Sequence, residues 1–170
     1  MANYNYVDAS TQIEAAVTEI NTRITLGMRS RAYRASNELR NASQLILRGQ
    51  RSGRQYNVPG TGRVKYNKRN KTAKIIYRKY TASAPGEPPA VRTGAFRMSW
   101  QTQTKSSGSP ATGFSVSSKI ESRIRTDNGK YLLGQILEEG TSRMAPRPYQ
   151  EKIQQKALPK IKKIYEEPYL

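Results

Sequence analysis

Residues 83–99 read SAPGEPPAVRTGAFRMS, a proline-stiffened segment that runs straight into an aromatic one. Pro85, Pro88 and Pro89 fix their own φ and hold Ala84, Glu87 and Pro88 in extended conformations. Gly86 supplies a bend. A segment this stiff loses little entropy when it docks. Thr93-Gly94 then reads as a turn that launches a strand. Over 95–104, Phe96, Met98, Trp100 and Thr102 fall on one face, and Arg97, Ser99, Gln101 and Gln103 on the other. A proline stretch alone reads as a rigid linker or a ligand for a proline-recognising module. Its direct coupling to an aromatic strand weighs against a free linker.

Downstream, residues 105–113 form a Ser/Gly/Pro turn. Phe114, Val116, Ser118 and Ile120 alternate with Ser115, Ser117, Lys119 and Glu121, which predicts a hairpin partner for the first strand. Asp127-Asn128-Gly129 is a turn. Residues 131–139 carry a short helix pattern, with Leu132, Leu133, Ile136 and Leu137 apolar and Gly140 ending it. Pro148 suits the first turn of a final helix. Ile153, Ala157, Ile161 and Ile164 form the stripe of that helix, and Pro159 is expected to kink or restart it.

Upstream, residues 73–80 (AKIIYRKY) read as a strand. Residues 49–72 hold Gly49, Gly53, Pro59, Gly60 and Gly62 with few apolar side chains, which predicts a long loop or a β-arm. No acidic residue stands between Glu38 and Glu87, while bases recur from Arg48 to Lys79 with Tyr56, Tyr66, Tyr77 and Tyr80 among them. A protein surface with no polyanion nearby usually mixes signs. Charge runs are usually solvated faces, yet this one makes Arg51, Arg54, Arg63, Lys65, Lys68, Arg69 and Lys71, the basic arm, candidates for phosphate contact.

Before them, Ile13, Val17, Ile20, Ile24, Met28, Ala35, Leu39, Ala42 and Ile46 recur every three or four residues. That spacing predicts helix to about Leu47, capped by Asp8 or Ser10 and closed by Gly49. Gly27 leaves open one kinked helix or two. Its other face carries Arg23, Arg29, Arg31, Arg34, Arg40 and Arg48, to be solvated or turned toward a polyanion. The expected fold is a single α+β domain over 1–170. It has a polar, flexible arm (1–7), a long N-terminal helical part (8–49) and a basic arm or loop (50–72). A small, mainly antiparallel sheet (73–126) and a helical C-terminal part with a short and a final helix (130–170) complete it.

The totals bound what such a domain does. With 35% hydrophobic residues and a mean hydropathy of -0.81, the chain is expected to hold a modest core and to cover apolar surface against partners or carry solvated arms. A formal charge of +18 draws polyanions: nucleic acid, an anionic membrane or an acidic protein surface. There is no Cys and no His, which removes disulfides, thiol nucleophiles, the usual neutral-pH base and the commonest metal ligands. No serine stands in an elbow context with a lysine base. Gly60 and Gly62 lack the helix and Lys-Ser/Thr of a phosphate-binding loop. Neither an enzyme nor a cofactor is expected. MANYNYVDAS lacks the pattern of a signal peptide, and no apolar run is long enough to span a membrane.

The stretch SAPGEPPAVRTGAFRMSW also resembles the SAPGEPPA-x-x-TG-x-L-R-x-S signature of the small head–tail joining, or tail-component, family of long-tailed bacteriophages. That family pairs it with a later block, Y-x-x-x-L-E-F-G-T-S-x-M-x-x-R-P-F, to which ILEEGTSRMAPRPY at 136–149 is similar. Phe96 stands where Leu is usual, Tyr149 where Phe is usual, and Glu139 at a normally aromatic position. The resemblance covers roughly residues 55–158. It implies a virion neck protein, assembled in the host cytoplasm: a homo-oligomeric ring, hexamer or dodecamer, with an α+β fold. Its implied partners are portal or head-completion connector proteins, a tail terminator or tail tube, and passing genomic DNA, with no membrane. The implied subunit-contact residues are Pro85, Gly86, Pro88, Pro89, Thr93, Gly94, Phe96, Glu138, Gly140, Thr141, Met144, Arg147 and Pro148. The other reading of the charge is a nucleic-acid-binding module of ribosomal or nucleoid type.

Overall fold

The computed structural model describes residues 9–109 and 113–168. The expected arm at 1–7, the Asp8 cap and the centre of the expected 105–113 turn lie outside the described residues. The fold is α+β. Helix α1 (Ala9–Arg48) is followed by strands β1 (Gln55–Asn57), β2 (Arg63–Asn67), β3 (Thr72–Ile76) and β4 (Lys79–Thr81). Then come helix α2 (Ala95–Met98), strands β5 (Gln101–Ser109) and β6 (Gly113–Glu121), and helices α3 (Leu133–Glu139) and α4 (Gln150–Glu166).

Helix α1 runs unbroken through Gly27 for 40 residues, about 60 Å at 1.5 Å per residue. Ser10 is already helical and is not its cap. Its C-terminal half buries Ala32, Ala35, Ser36, Ala42, Ser43 and Leu47. Small residues on this stripe let a neighbouring helix approach closely. The two buried serines satisfy their hydroxyls within α1, Ser36 on the Tyr33 carbonyl at 2.8 Å and Ser43 on that of Arg40 at 2.7 Å.

Helix α4 packs antiparallel on that stripe through Ile153, Ala157 and Ile164. It does not restart at Pro159. That residue lies on the exposed face, where the carbonyl left without an N–H partner meets water, while the buried stripe holds both halves on α1. The α4 terminus is clamped by arginines of α1. Arg34 makes a two-pronged pair with the Glu167 carboxylate at 2.5 and 2.6 Å, and Arg31 donates to the Glu167 and Pro168 carbonyls. Arg23 pairs with Glu19 at 2.6 Å, and Arg29 lies over the Phe114 ring. Much of the arginine face of α1 is thus engaged within the chain.

The strands form three separate antiparallel ribbons, β1–β4, β2–β3 and β5–β6, rather than one sheet. Two boundaries differ from expectation. Residues 73–80 are not one strand. The Arg78 N–H donates to Thr61 Oγ1 at 3.0 Å and its carbonyl accepts the Val58 N–H at 2.7 Å, which breaks the run between β3 and β4. Residues 95–98 are a helical turn, not strand. Gly94 enters it at φ 88°, in the left-handed region, and its carbonyl accepts the Met98 N–H at 3.0 Å. The turn puts Phe96 and Trp100 one above the other, while Met98 points outward at 60% exposure. The expected turn at 105–113 is mostly strand, since β5 continues to Ser109 and β6 begins at Gly113.

The core gathers where these elements meet. Ala42, Leu47, Trp100, Tyr149, Ile153 and Ala157 are buried together, flanked by Leu39, Ile46, Phe96, Ile120, Leu137 and Ile161. Phe96, Trp100 and Tyr149 form an edge-to-face triangle with centroids 5.6 to 5.9 Å apart. Such a pair adds about 0.5–1.5 kcal/mol beyond burial.

Candidate functional site

Tyr149 ties the aromatic triangle to a clasp. It precedes α4 with no side-chain cap of its own, so the first N–H groups of the helix need acceptors from elsewhere. Glu138, at the end of α3, provides one: its Oε2 accepts the N–H of Tyr149 at 3.0 Å and of Gln150 at 3.3 Å. A carboxylate here also faces the positive end of the α4 dipole. The Tyr149 hydroxyl donates to the Gly134 carbonyl at 3.1 Å, and burial pushes the phenol up to about 12.

Between Glu138 and Tyr149 the chain makes a tight loop. Thr141 and Met144 exchange backbone hydrogen bonds at 2.8 and 3.2 Å, and Thr141 Oγ1 accepts the N–H groups of Arg143 and Met144. Gly140 permits it. A Cβ there would stand 2.7 Å from the Met144 carbonyl oxygen, and its φ is 78°. The Arg147 N–H returns to the Leu137 carbonyl at 2.9 Å.

The proline segment closes on this loop. The Arg147 guanidinium donates to Ser83 Oγ, the Gly86 N–H to the Pro146 carbonyl at 3.2 Å, and Lys152 Nζ to the Gly86 carbonyl at 3.0 Å. On its other side the segment is fastened to the exit of α1. Glu87 accepts Ser52 Oγ at 2.6 Å, the Ser52 N–H at 3.1 Å and the Ala84 N–H at 2.9 Å. The Ser52 hydroxyl, then the Ala84 and Ser52 N–H groups, with Arg51 beyond, hold the Glu87 carboxyl down at about 2. Arg51 Nη2 donates to the Ile46 carbonyl at 2.8 Å and to that of Pro89 at 3.1 Å, joining the end of α1 to the buried end of the segment.

The two sequence blocks therefore meet each other inside one chain. Of the expected contact residues, Pro89 is buried, Pro88, Gly94, Phe96, Glu138, Gly140, Met144, Arg147 and Pro148 are half-buried, and Pro85, Gly86, Thr93 and Thr141 are exposed. Thr93, Gly94, Phe96, Met144 and Arg147 also line an open cleft of about 860 Å³, into which Arg92, Arg97, Arg125, Tyr56 and Tyr80 also face. Ser52, Glu87 as an acceptor and Lys152 were not expected here. The Ser52–Glu87 and Lys152–Gly86 bonds join positions 35 and 66 apart, which no local pattern reveals.

The basic residues divide. Arg51 belongs to the clasp rather than the arm, where burial lowers its pKa, and Arg54 lies over the Tyr56 ring. Arg63 and Lys65 are on β2, and Lys68, Arg69 and Lys71 form the tip of the β2–β3 hairpin. Residues 62–79 are all exposed. No arm base joins an ion pair among the described residues; those pairs involve Arg23, Arg34, Lys119, Arg123 and Lys160. Among the described residues no group of three or more Asp and Glu side chains is placed to hold a metal ion, and no helix is long and apolar enough to cross a membrane. No family model, curated protein or solved structure matches the chain.

Proposed function

We propose that this chain is a structural subunit of the neck of a long-tailed bacteriophage, one member of a ring that joins the portal and its connector to the tail tube and lets DNA pass. The observation that carries the reading is the clasp. The blocks at 83–99 and 136–149 resemble the two halves of one signature, and they bond to each other through Ser83, Gly86, Pro146 and Arg147. The clasp gives the blocks a common task, which is to hold a rigid surface of which Pro85, Gly86, Thr93 and Thr141 remain exposed. The basic arm supplies distributed charge that positions phosphate without reading sequence. Part of the +18 faces the bore and part meets acidic subunits of adjacent rings.

A second reading, a nucleic-acid-binding module of ribosomal or nucleoid type, is favoured by one observation: among the described residues no base of the β2–β3 arm joins an ion pair. Imaging of particles assembled without this chain separates the two. The neck reading expects full heads and finished tails that fail to join. Intact, joined virions in normal number would refute it.

A further inference from the structure

Two features of the β2–β3 hairpin lower its own stability, and both add positive charge. Its register sets Lys65 directly opposite Lys74, with Arg63 on the same face and diagonal to Lys74. Like charges directly opposite each other destabilise a ribbon. At the turn, Lys71 takes a φ of 47°, in the left-handed region, and is the one residue other than glycine to do so among the described residues. Glycine or asparagine takes that conformation at less cost. A lysine there instead puts a third cation on a turn that already holds Lys68 and Arg69. The strands pair only with each other, and an isolated two-stranded hairpin is marginal in water. No acidic residue stands between Glu38 and Glu87 to offset this charge, residues 62–79 are all exposed, and among the described residues no cation of the hairpin joins an ion pair.

The layout of the side chains distinguishes between polyanions. Alternation puts Arg63, Lys65 and Lys74 on one face of the ribbon and Val64, Tyr66, Ala73 and Ile75 on the other. Single-stranded nucleic acid is held in a cationic groove by aromatic rings that stack on its bases. Here Tyr66 lies across the ribbon from the cations, so the two cannot grip one strand together. An element that enters an anionic membrane combines cations with apolar side chains that sink below the headgroups. The turn offers none, since it consists of Lys68, Arg69, Asn70 and Lys71. On the cationic face Ile76, at the root, is the one apolar side chain. A face and a turn of charges alone suit the phosphate backbone of a duplex, which carries about one charge per 1.7 Å of helix axis.

We infer that the Arg63–Lys65–Lys74 face and the turn at Lys68, Arg69 and Lys71 bind the phosphate backbone of duplex DNA without reading its sequence, and that the bound duplex in turn stabilises the hairpin. Phosphate beside Lys65 and Lys74 relieves their repulsion, so that binding and strand pairing support each other. The inference rests on the neck reading for the presence of DNA, but the binding itself needs no ring.

The full chain is titrated with a short duplex of mixed sequence over a range of salt, and amide hydrogen exchange is followed with and without the duplex. Replacing Arg63, Lys65 and Lys74 by Gln should lower the salt slope by up to about 2.7, at 0.9 per phosphate. Replacing Lys156, Lys162 and Lys163 by Gln removes the same charge from the exposed side of α4 and should leave the slope nearly unchanged. Free duplex at about 100 times its Kd should slow exchange in residues 63–67 and 72–76 by up to about 100-fold and leave α1 and α4 as they were. Lys74→Glu sets opposite charges across the ribbon, so it should slow exchange in the free chain yet weaken duplex binding. Equal slope changes from the two triple variants, exchange in the hairpin unaltered by duplex, or tighter binding of oligo-dT, polyglutamate or phosphatidylserine vesicles overturns the inference and leaves the neck reading standing. Hairpin-dependent duplex binding by a chain that never assembles sustains the inference and overturns the ring.

Discussion

Replacing Glu138 by Ala removes the side-chain acceptor that the described residues place at the start of α4 and leaves two backbone N–H groups without it, one of them on a residue that is 1% exposed. Loss of a helix cap costs about 0.5–2 kcal/mol, and loss of a carboxylate at the positive end of a helix about 0.3–1 kcal/mol. A total of about 1–2 kcal/mol follows, a fall in Tm of about 3–6 °C for a chain of this length. Glu138→Gln keeps an acceptor and loses the charge, so it should fall between wild type and Ala. Urea denaturation of dilute, dissociated chain measures the difference, and amide exchange at Tyr149 and Gln150 locates it. If Glu138 acted only between subunits, the stability of the isolated chain would not move. An Ala variant within about 0.3 kcal/mol of wild type, inside the ordinary scatter of surface changes, would refute the clasp.

Three further outcomes are expected. Gly94→Ala forces a side chain into φ 88° and should destabilise the chain by about 1–2 kcal/mol in thermal melts, although nothing crowds the site. The Glu87 carboxyl is depressed from 4.5 to about 2, so its stabilisation is complete above 4.5 and is lost as pH falls through about 2. The Tm gap between wild type and Glu87→Gln should therefore be constant from pH 7 to 5.5, close between 4.5 and 2, and shrink at neutral pH when Ser52 is already Ala. Replacing Lys68, Arg69 and Lys71 by Gln should leave assembly intact and lower the salt slope of duplex binding by up to about 2.7, at 0.9 per phosphate. Loss of assembly in that triple variant would make these bases interface residues.

Much of the fold is legible because long apolar periods are hard to mistake. The stripe from Ile13 to Leu47 and that from Ile153 to Ile164 each predict the helix that forms, and alternation over 114–121 predicts β6. The helical turn at 95–98 is not legible. Phe96 and Trp100 share a side at period two and at period four, so Met98 alone separates the readings, and it lies on an exposed surface. The break at Tyr77-Arg78 is imposed by Val58 and Thr61, far from a run that contains neither Gly nor Pro. Charge was the least informative signal. Arg51, Arg31 and Arg34 look like their displayed neighbours, and only three dimensions show them gripping carbonyls and a carboxylate at helix ends. The blocks themselves were visible as a pair. Their mutual bonding was not, because each bond spans most of the sheet.

The proposed neck subunit builds a closed ring from copies of itself. Native mass spectrometry of the nuclease-treated full chain at near-physiological ionic strength tests it most directly. A single discrete assembly at six or twelve times 19.2 kDa is expected, with the same number of subunits when duplex DNA is added. A 19.2 kDa monomer that gains mass only with DNA would contradict it.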